Sequence, residues 1–285
     1  MRPGRRFLLV VVAWAPALAA GAVPPPLDQE HLAAELARHP VVLLGEVHDN
    51  ALQHQIRAGA LRRLLEGGAR PAIAFEQFDR ERQADIDRAR RELPPAGSSL
   101  ADHVIAQARA PKDTWDWPRY RPFVELALQY DLPIVAANLS RSAAARVARE
   151  GPGAVFTEPE RAELALDRFD DILAEHERVV QAGHCNLLPE SALPGLARAQ
   201  IARDAVLAQS LRPYLERGVI LLTGNGHARR DIGVPRHLAE ADRPRAWSIG
   251  LLEAGSEERS PLFDVAFVGP AQVRPDPCEA LKPKR

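Results

Sequence analysis

Carboxylate, imidazole and amide side chains close four apolar runs of this sequence. Glu46 and His48 follow the first run, Glu76 ends the second, Asn138 ends the third, and His227 stands in a glycine-rich turn after the fourth. Glutamate and histidine together can bind a divalent metal that activates water. Without a metal, His48 can act as a general base that Glu46 orients, for hydrolysis of an ester or an amide. The same groups can instead line a cleft that holds an unchanged cofactor, and the spacing leaves all three chemistries open.

The common sequence signatures of hydrolases and zinc sites do not decide among these chemistries. H-E-x-x-H, C-x-x-C and G-x-S-x-G are all absent from the chain. Structural roles are also open, since Glu46 can cap the following helix and His227 can be a turn residue. Two runs that end in a carboxylate in the same way favour a functional role for Glu46 and Glu76, and a turn that follows a buried strand favours one for His227. His184 fits either role, and His54 favours a structural one.

Short apolar runs bounded by glycine or proline predict the strands that carry these side chains. The run 41–44 lies between Pro40 and Gly45, which is typical of a strand covered on both faces. Asn50 and Gln53 then form the capping pattern of a helix that begins at once. Comparable apolar runs lie at 71–76, 132–138, 218–223, 246–252 and 262–268. The last of these is predicted to be an antiparallel or an edge strand.

Strands that alternate with helices predict an α/β fold whose central, mostly parallel sheet is flanked by helices. A helical insertion, from about 79 to 119, is predicted to form a lobe outside the sheet. The carboxyl ends of parallel strands meet at one edge of a sheet, where ligands bind in such folds. The sequence therefore predicts one pocket, at that edge, with two carboxylates and two imidazoles.

The composition is that of a soluble globular protein with an export signal. The chain has 285 residues, of which 46% are hydrophobic and 26% are charged. Residues 1–22 combine early arginines, a short apolar run and small residues, as in a secretory signal peptide. One domain, 23–270, and a flexible tail, 271–285, are predicted to follow, with no membrane-spanning segment. Removing the signal with its three arginines takes the formal net charge from -1 to -4, which argues against a nucleic-acid partner.

Two cysteines, Cys185 and Cys278, remain after the predicted export. They can pair in an oxidising compartment, but two unpaired thiols, one of them buried, are equally consistent with the sequence. Neither cysteine lies near the signal cleavage point. The sequence therefore predicts a secreted or periplasmic protein without a lipid anchor.

Three segments carry a recognisable combination of residues, namely GEVHDN at 45–50, FEQF at 75–78 and GNGHAR at 224–229. Together they resemble the ChaN-like family of haem-binding uptake proteins, which shares a superfamily with Tiki proteases and erythromycin esterases. The resemblance covers about 27 to 268. It implies an α/β fold, export, a role in haem or iron uptake, and dimers that enclose haem between subunits. In hydrolytic relatives, the positions that match Glu46, His48, Glu76 and His227 form the reactive pocket.

The resemblance does not fix the axial haem ligand of this chain. Family members bind the iron through a tyrosine helped by histidine, and tyrosine suits ferric haem. The available tyrosines, none of which matches a family motif, are Tyr120, Tyr130 and Tyr214. The axial ligand therefore stays unassigned. The candidate haem-contacting histidines are His48, His54, His184 and His227. Typical members of the family are lipoproteins, whereas this signal region has no lipobox cysteine.

An exported haem-binding protein is the function that these observations predict, with haem as cofactor and a homodimer as the implied assembly. The alternative is a hydrolase in which Glu46, His48, Glu76 and His227 catalyse the reaction or hold a divalent metal. An aromatic content of only 5% counts against haem, and four polar strand ends at one edge count for catalysis. The family resemblance favours haem.

Overall fold

Six parallel strands form one sheet at the centre of the residues that the structure describes. The structure is a computed structural model and describes residues 24–111, 113–167, 170–276 and 278–279. The predicted signal peptide, residues 1–22, lies outside them. The strands are β1 (Val41–Leu44), β2 (Ala72–Asp79), β3 (Ile134–Asn138), β4 (Val219–Leu222), β5 (Ala246–Glu253) and β6 (Val265–Gly269). They lie in the order β3-β2-β4-β1-β5-β6 with every neighbouring pair parallel, which confirms the predicted α/β class.

The strands are short and apolar because both faces of the sheet are covered. All four residues of β1 are fully buried, and β1 pairs with β4 on one side and β5 on the other. Such a strand loses contact with water on both faces, so an unbroken apolar run is favoured over alternation. The last strand, β6, lies at an edge and pairs in parallel with β5, so the edge alternative holds and the antiparallel one does not.

Helices pack on both faces of the sheet. Those in the described residues are α1 (Gln29–Arg38), α2 (Ala51–Glu66), α3 (Gln83–Ala89), α4 (Leu100–Ala108), α5 (Trp117–Gln129), α6 (Arg141–Glu150), α7 (Glu158–Glu163), α8 (Asp170–Gly183), α9 (Leu193–Leu211) and α10 (Asn225–Ala228). On one face, Leu61 of α2 and Phe123 of α5 are buried against the strands. On the other face, Leu207 and Leu211 of α9 are buried. None of these described helices is both long and apolar enough to cross a membrane.

The segment 79–119 contributes α3, α4 and the start of α5, and these helices pack directly against the sheet, whereas the sequence predicts a lobe outside it. Ile86 of α3, Val104 of α4 and Trp117 at the start of α5 are buried in the same hydrophobic cluster as the strands. The loop between α4 and α5 reaches the carboxyl edge of the sheet. There the ring of Trp115 meets the ring of His48 edge-on, with 5.0 Å between the centroids. This segment therefore forms a wall beside the predicted pocket.

The segment after β6 is bonded to the rest of the protein, although its sequence predicts a flexible tail. Arg274 forms ion pairs with Asp49 at 2.7 Å and with Glu253 at 2.7 Å. Cys278 is joined to Cys185 by a disulfide, with the two Cα atoms 5.6 Å apart. The sequence left the pairing of these cysteines open, and the structure pairs them.

Candidate functional site

Three adjacent strands bring the polar residues of the sequence motifs to one edge of the sheet. Since β4 lies between β2 and β1, the strand ends that carry Glu76, His227 and Glu46 are neighbours. Gly224 allows the close approach of the turn after β4, because a Cβ atom there would lie only 2.8 Å from Cε1 of His48. We call this edge, formed by Glu46, His48, Glu76 and His227, the rim.

Glu46 is a buried carboxylate that four side chains surround. It accepts hydrogen bonds from the Tyr120 hydroxyl at 2.7 Å and from His48 Nδ1 at 2.9 Å. It also pairs with the Arg57 guanidinium, and His54 Nε2 lies 3.0 Å from its second oxygen. Burial by itself raises the pKa of Glu46. The charge of Arg57 and the hydrogen bonds from the two histidines outweigh burial and hold the pKa well below its usual range, so Glu46 is an anion.

His48 is the rim residue that solvent reaches most easily, with 48% of its side chain exposed. Its Nδ1 faces Glu46, and no residue that the structure describes makes a hydrogen bond to its Nε2. Burial lowers the pKa of His48, but the hydrogen bond to Glu46 and the charge of Glu76 outweigh it and raise the pKa. The carboxylate therefore fixes the orientation of the ring and leaves Nε2 as the atom that meets a ligand.

His227 lies between two carboxylates on the other side of the rim. Its Nδ1 is 2.6 Å from Asp204, and its Nε2 is 3.6 Å from Glu76. Burial lowers the pKa of His227, but the charges of Asp204 and Glu76 outweigh it and raise the pKa to about 9. Glu76 in turn accepts hydrogen bonds from the Thr223 hydroxyl at 2.6 Å and the Gly224 amide at 2.8 Å. His227 is thus a cation at neutral pH.

The other predicted residues lie close to the rim but play different parts. His54 is buried, and its Nε2 lies 3.0 Å from both the main-chain carbonyl of His48 and an oxygen of Glu46, so its N–H is shared between two acceptors at the rim. Asn138 accepts a hydrogen bond from Arg203 at 3.0 Å. His184 is exposed at the end of α8 and lines a cavity of about 200 Å³ that His227 also lines. His184 therefore borders the back of the rim.

Three groups that complete the rim were not predicted from the sequence as site residues. Arg57 is fully buried on the inner face of α2, Tyr120 is 1% exposed on α5, and Asp204 is 1% exposed on α9. A signal was present for two of them, because arginine at 57 interrupts the apolar face of its helix and aspartate at 204 stands within the run 201–211. Tyr120 appears in the sequence only as one of the available tyrosines, and its place beside Glu46 depends on how α5 packs.

The donor atoms at the rim fit haem through histidine and not through tyrosine. The Tyr120 hydroxyl is bonded to Glu46, and burial with the nearby Glu46 charge raises its pKa far above the ordinary value. Tyr130 and Tyr214 precede β3 and β4, so they lie at the amino-terminal edge of the sheet, away from the rim. At the rim, the half-exposed ring of His48 presents Nε2, which no described residue engages in a hydrogen bond. Within the described residues, no group of three or more His, Cys, Asp or Glu side chains is arranged to hold a metal ion.

Comparisons with known proteins give both a family and a fold. A family model described as "Haem-binding uptake, Tiki superfamily, ChaN" matches residues 32–238. Among solved structures, ChaN of Campylobacter jejuni with cofacial haem binding is similar at a TM-score of 0.62 and 21% identity, covering 79% of this chain and 86% of that one. The erythromycin esterase EreC in its open conformation reaches a TM-score of 0.47 at 15% identity, covering 79% and 73%. No protein with a curated functional description matches the chain.

Proposed function

The chain belongs to the haem-binding uptake family of the Tiki superfamily, ChaN, and from this premise we propose that it is an exported protein that binds haem at the rim. The observation that carries the proposal is the half-exposed imidazole of His48, whose Nε2 is free while Nδ1 is held by Glu46. A histidine whose other nitrogen donates to a carboxylate is the usual arrangement of a metal-bound imidazole.

The residues at and beside the rim would each have a different role in holding haem. Haem, when bound, would supply an iron that the imidazole of His48 could coordinate. Glu46 accepts the Nδ1 proton of His48 and so presents the lone pair of Nε2 to the cleft. Trp115 stands edge-on to His48 and limits rotation of the imidazole. Arg57 keeps Glu46 charged, which makes His48 a more basic ligand.

We further propose that the protein is exported and that it forms a dimer. The disulfide between Cys185 and Cys278 supports export, because such bonds persist in oxidising compartments and are rare in the cytosol. The Campylobacter ChaN structure is described as binding haem cofacially. By analogy we propose that two copies of this chain meet at their rims and share stacked haem, which the half-exposed His48 would permit.

Haem titration of the mature protein tests the proposal. We expect a saturable Soret shift in the wild type and at least about 100-fold weaker binding in His48→Ala, because losing the ligand should cost at least as much as losing its outer hydrogen-bond partner. His31→Ala, an exposed histidine at the start of α1, is the matched control and should bind like the wild type. An unsaturable wild-type titration, or an unchanged Soret band and affinity in His48→Ala, would contradict histidine ligation at the rim.

Hydrolysis is the second candidate, and one specific observation favours it. His48 and His227 are each held at Nδ1 by a carboxylate, Glu46 for the first and Asp204 for the second. Carboxylate-held imidazoles are the arrangement of a general base and of an electrophilic cation. On this proposal His48 removes a proton from water, and the positively charged His227 stabilises the oxyanion that forms.

Turnover of ester and peptide substrates tests the second candidate. With fluorogenic substrates, His227→Gln should lower kcat/KM by about 10²–10³-fold, which is the usual cost of removing one oxyanion donor. The rate should rise with pH as His48, whose pKa is raised, loses its proton. His31→Gln serves as the control. A wild-type rate equal to that of buffer, with and without added Mn²⁺ or Zn²⁺, counts against a hydrolase, and so does a rate that survives His48→Ala.

A further inference from the structure

A polar cleft of about 350 Å³ lies beside the rim, on the side of β2 and β3. Its lining includes Gln77, Asp79, Trp115, Asn138, Arg141 and Arg203. Trp115 belongs to both places, because it lines this cleft and also contacts the ring of His48. A ligand seated at His48 can therefore extend past Trp115 into the cleft.

Arg203 is a partly buried cation that has no carboxylate within ion-pair distance among the described residues. Its guanidinium donates to Asn138 Oδ1 at 3.0 Å and to the Leu139 carbonyl at 3.1 Å, both of which are neutral acceptors. It forms no ion pair with any residue that the structure describes. Burial lowers the pKa of Arg203, and the more distant charges of Glu76, Asp79 and Asp204 only partly offset it. Charged groups in such surroundings are normally paired, so the guanidinium has capacity for an anion.

Gln77 provides an independent sign of a missing partner. It is only 2% exposed and lines the cleft, yet no residue that the structure describes forms a hydrogen bond with the nitrogen or the oxygen of its amide. An unsatisfied buried polar group destabilises the folded state, and such groups are rare in native proteins. A polar ligand group in the cleft would satisfy this amide.

The start of α6 adds positive potential to the same cleft. The helix spans ten residues from Arg141, and the side chain of Ser140 caps it by accepting the amide of Ala143 at 3.3 Å. Arg141 lines the cleft and forms no ion pair within the described part of the chain. The amino end of a helix carries partial positive charge and attracts anions.

Two carboxylates, Asp79 and Asp113, also line the cleft, and their charges oppose part of this positive potential. Asp113 accepts the indole N–H of Trp117 at 3.0 Å, which fixes the position of this carboxylate and leaves its charge in place. Burial, together with the charge of Glu81, raises the pKa of Asp79 to about 6. A further anion nearby would raise that pKa again, so Asp79 would take up a proton and donate a hydrogen bond to the ligand.

We propose that this cleft is an anion subsite that holds a carboxylate group of the ligand bound at His48. The inference rests on the proposed function, and for haem the group is a propionate side chain. The guanidinium groups of Arg203 and Arg141 supply charge-assisted hydrogen bonds, the amide of Gln77 donates a further one, and Trp115 separates the subsite from the imidazole. Free carboxylates offer the same chemistry, so the test includes both sources.

Soret titrations with haem and with haem dimethyl ester measure how much the free carboxylates of the ligand contribute to its affinity. The wild type should bind the diacid at least about tenfold more tightly than the diester, since one hydrogen bond to a charged group contributes about 1.5–3 kcal/mol. Arg203→Gln and Arg141→Gln should each reduce this preference. Arg149→Gln, an equal change of charge at the far end of α6, should keep it. Equal affinity for acid and ester in the wild type, or a preference that survives both variants, would overturn the proposal.

A second experiment tests the anion subsite without haem, and it applies if the protein does not bind haem at all. Benzoate and benzamide have the same ring, and only the first is an anion. Saturable quenching of tryptophan fluorescence by benzoate, absent with benzamide and lost in Trp115→Phe and Arg203→Gln, would support the anion subsite while the haem function failed. The same response to both compounds, or no response to either, would overturn the subsite as well.

Discussion

Arg57→Leu is expected to lower the free energy of unfolding by about 3–5 kcal/mol. Arg57 is fully buried, its guanidinium pairs with the equally buried carboxylate of Glu46, and it lies over the ring of Phe123 at 5.2 Å. Leucine fills much of the space but leaves the carboxylate without its cation in a site that water does not reach. Urea unfolding of the oxidised protein, followed by circular dichroism at neutral pH, measures the loss.

Two further variants show that the loss comes from the buried charge. Arg63→Leu changes an arginine of the same helix that is 48% exposed and pairs with Glu30, and it should cost no more than about 1 kcal/mol. Adding Glu46→Gln to Arg57→Leu should recover part of the stability, because the unpaired anion is then gone. If Arg57→Leu costs no more than Arg63→Leu, or if the second substitution adds to the loss, the buried pair does not have the proposed role.

The free energy of unfolding should fall as the pH rises from about 6.5 to about 9. His227 has an ordinary pKa of 6.5, and the charges of Asp204 and Glu76 outweigh burial and raise the pKa to about 9 in the folded protein. A group whose pKa is raised by folding binds more protons in the folded state, so its stabilisation is complete below 6.5 and is lost as the pH passes 9. A shift of this size corresponds to a loss on the order of 3 kcal/mol.

Comparison with His227→Gln isolates this contribution. Glutamine cannot be protonated, so the variant should be less stable than the wild type at pH 6 and should show a smaller fall between pH 6.5 and 9, the remainder coming from His48, whose pKa is also raised. His184→Gln, which changes an exposed histidine on the same cavity, should keep the wild-type slope. Parallel stability profiles for the wild type and His227→Gln would show that His227 is not the group that titrates.

The strand ends of the rim were predictable because they depend on local patterns. An apolar run such as 41–44 that stops at a glycine places Glu46 at the end of a strand, wherever that strand lies in the sheet. Predicting that these side chains share an edge did not require knowing that β4 lies between β1 and β2, since the carboxyl ends of all parallel strands lie at one edge. The sequence therefore predicted which polar groups meet, without predicting the order of the strands.

The partners of those groups were beyond prediction because long-range packing selects them. The hydroxyl of Tyr120 reaches Glu46 across 74 positions of the sequence. Asp204 contacts His227 because the face of α9 that carries Asp204 packs toward the sheet. Helical periodicity predicts which residues of α9 share a face, but it does not predict which residues that face will contact. The pairing of Cys185 with Cys278 was equally open, since two cysteines in a sequence state nothing about their separation in space.

That disulfide closes a covalent ring, since its cysteines are 93 positions apart. Asp204 and His227 lie on the ring, whereas Glu46 and Glu76 lie on the open chain that precedes it. When the oxidised protein unfolds, Glu46 and Glu76 therefore lie on an unconstrained chain, while Asp204 and His227 remain within a loop whose ends the disulfide holds together. Closing a loop of this length removes roughly 4–5 kcal/mol of chain entropy from the unfolded state. The oxidised chain therefore re-forms its rim by docking a free segment onto a tethered one.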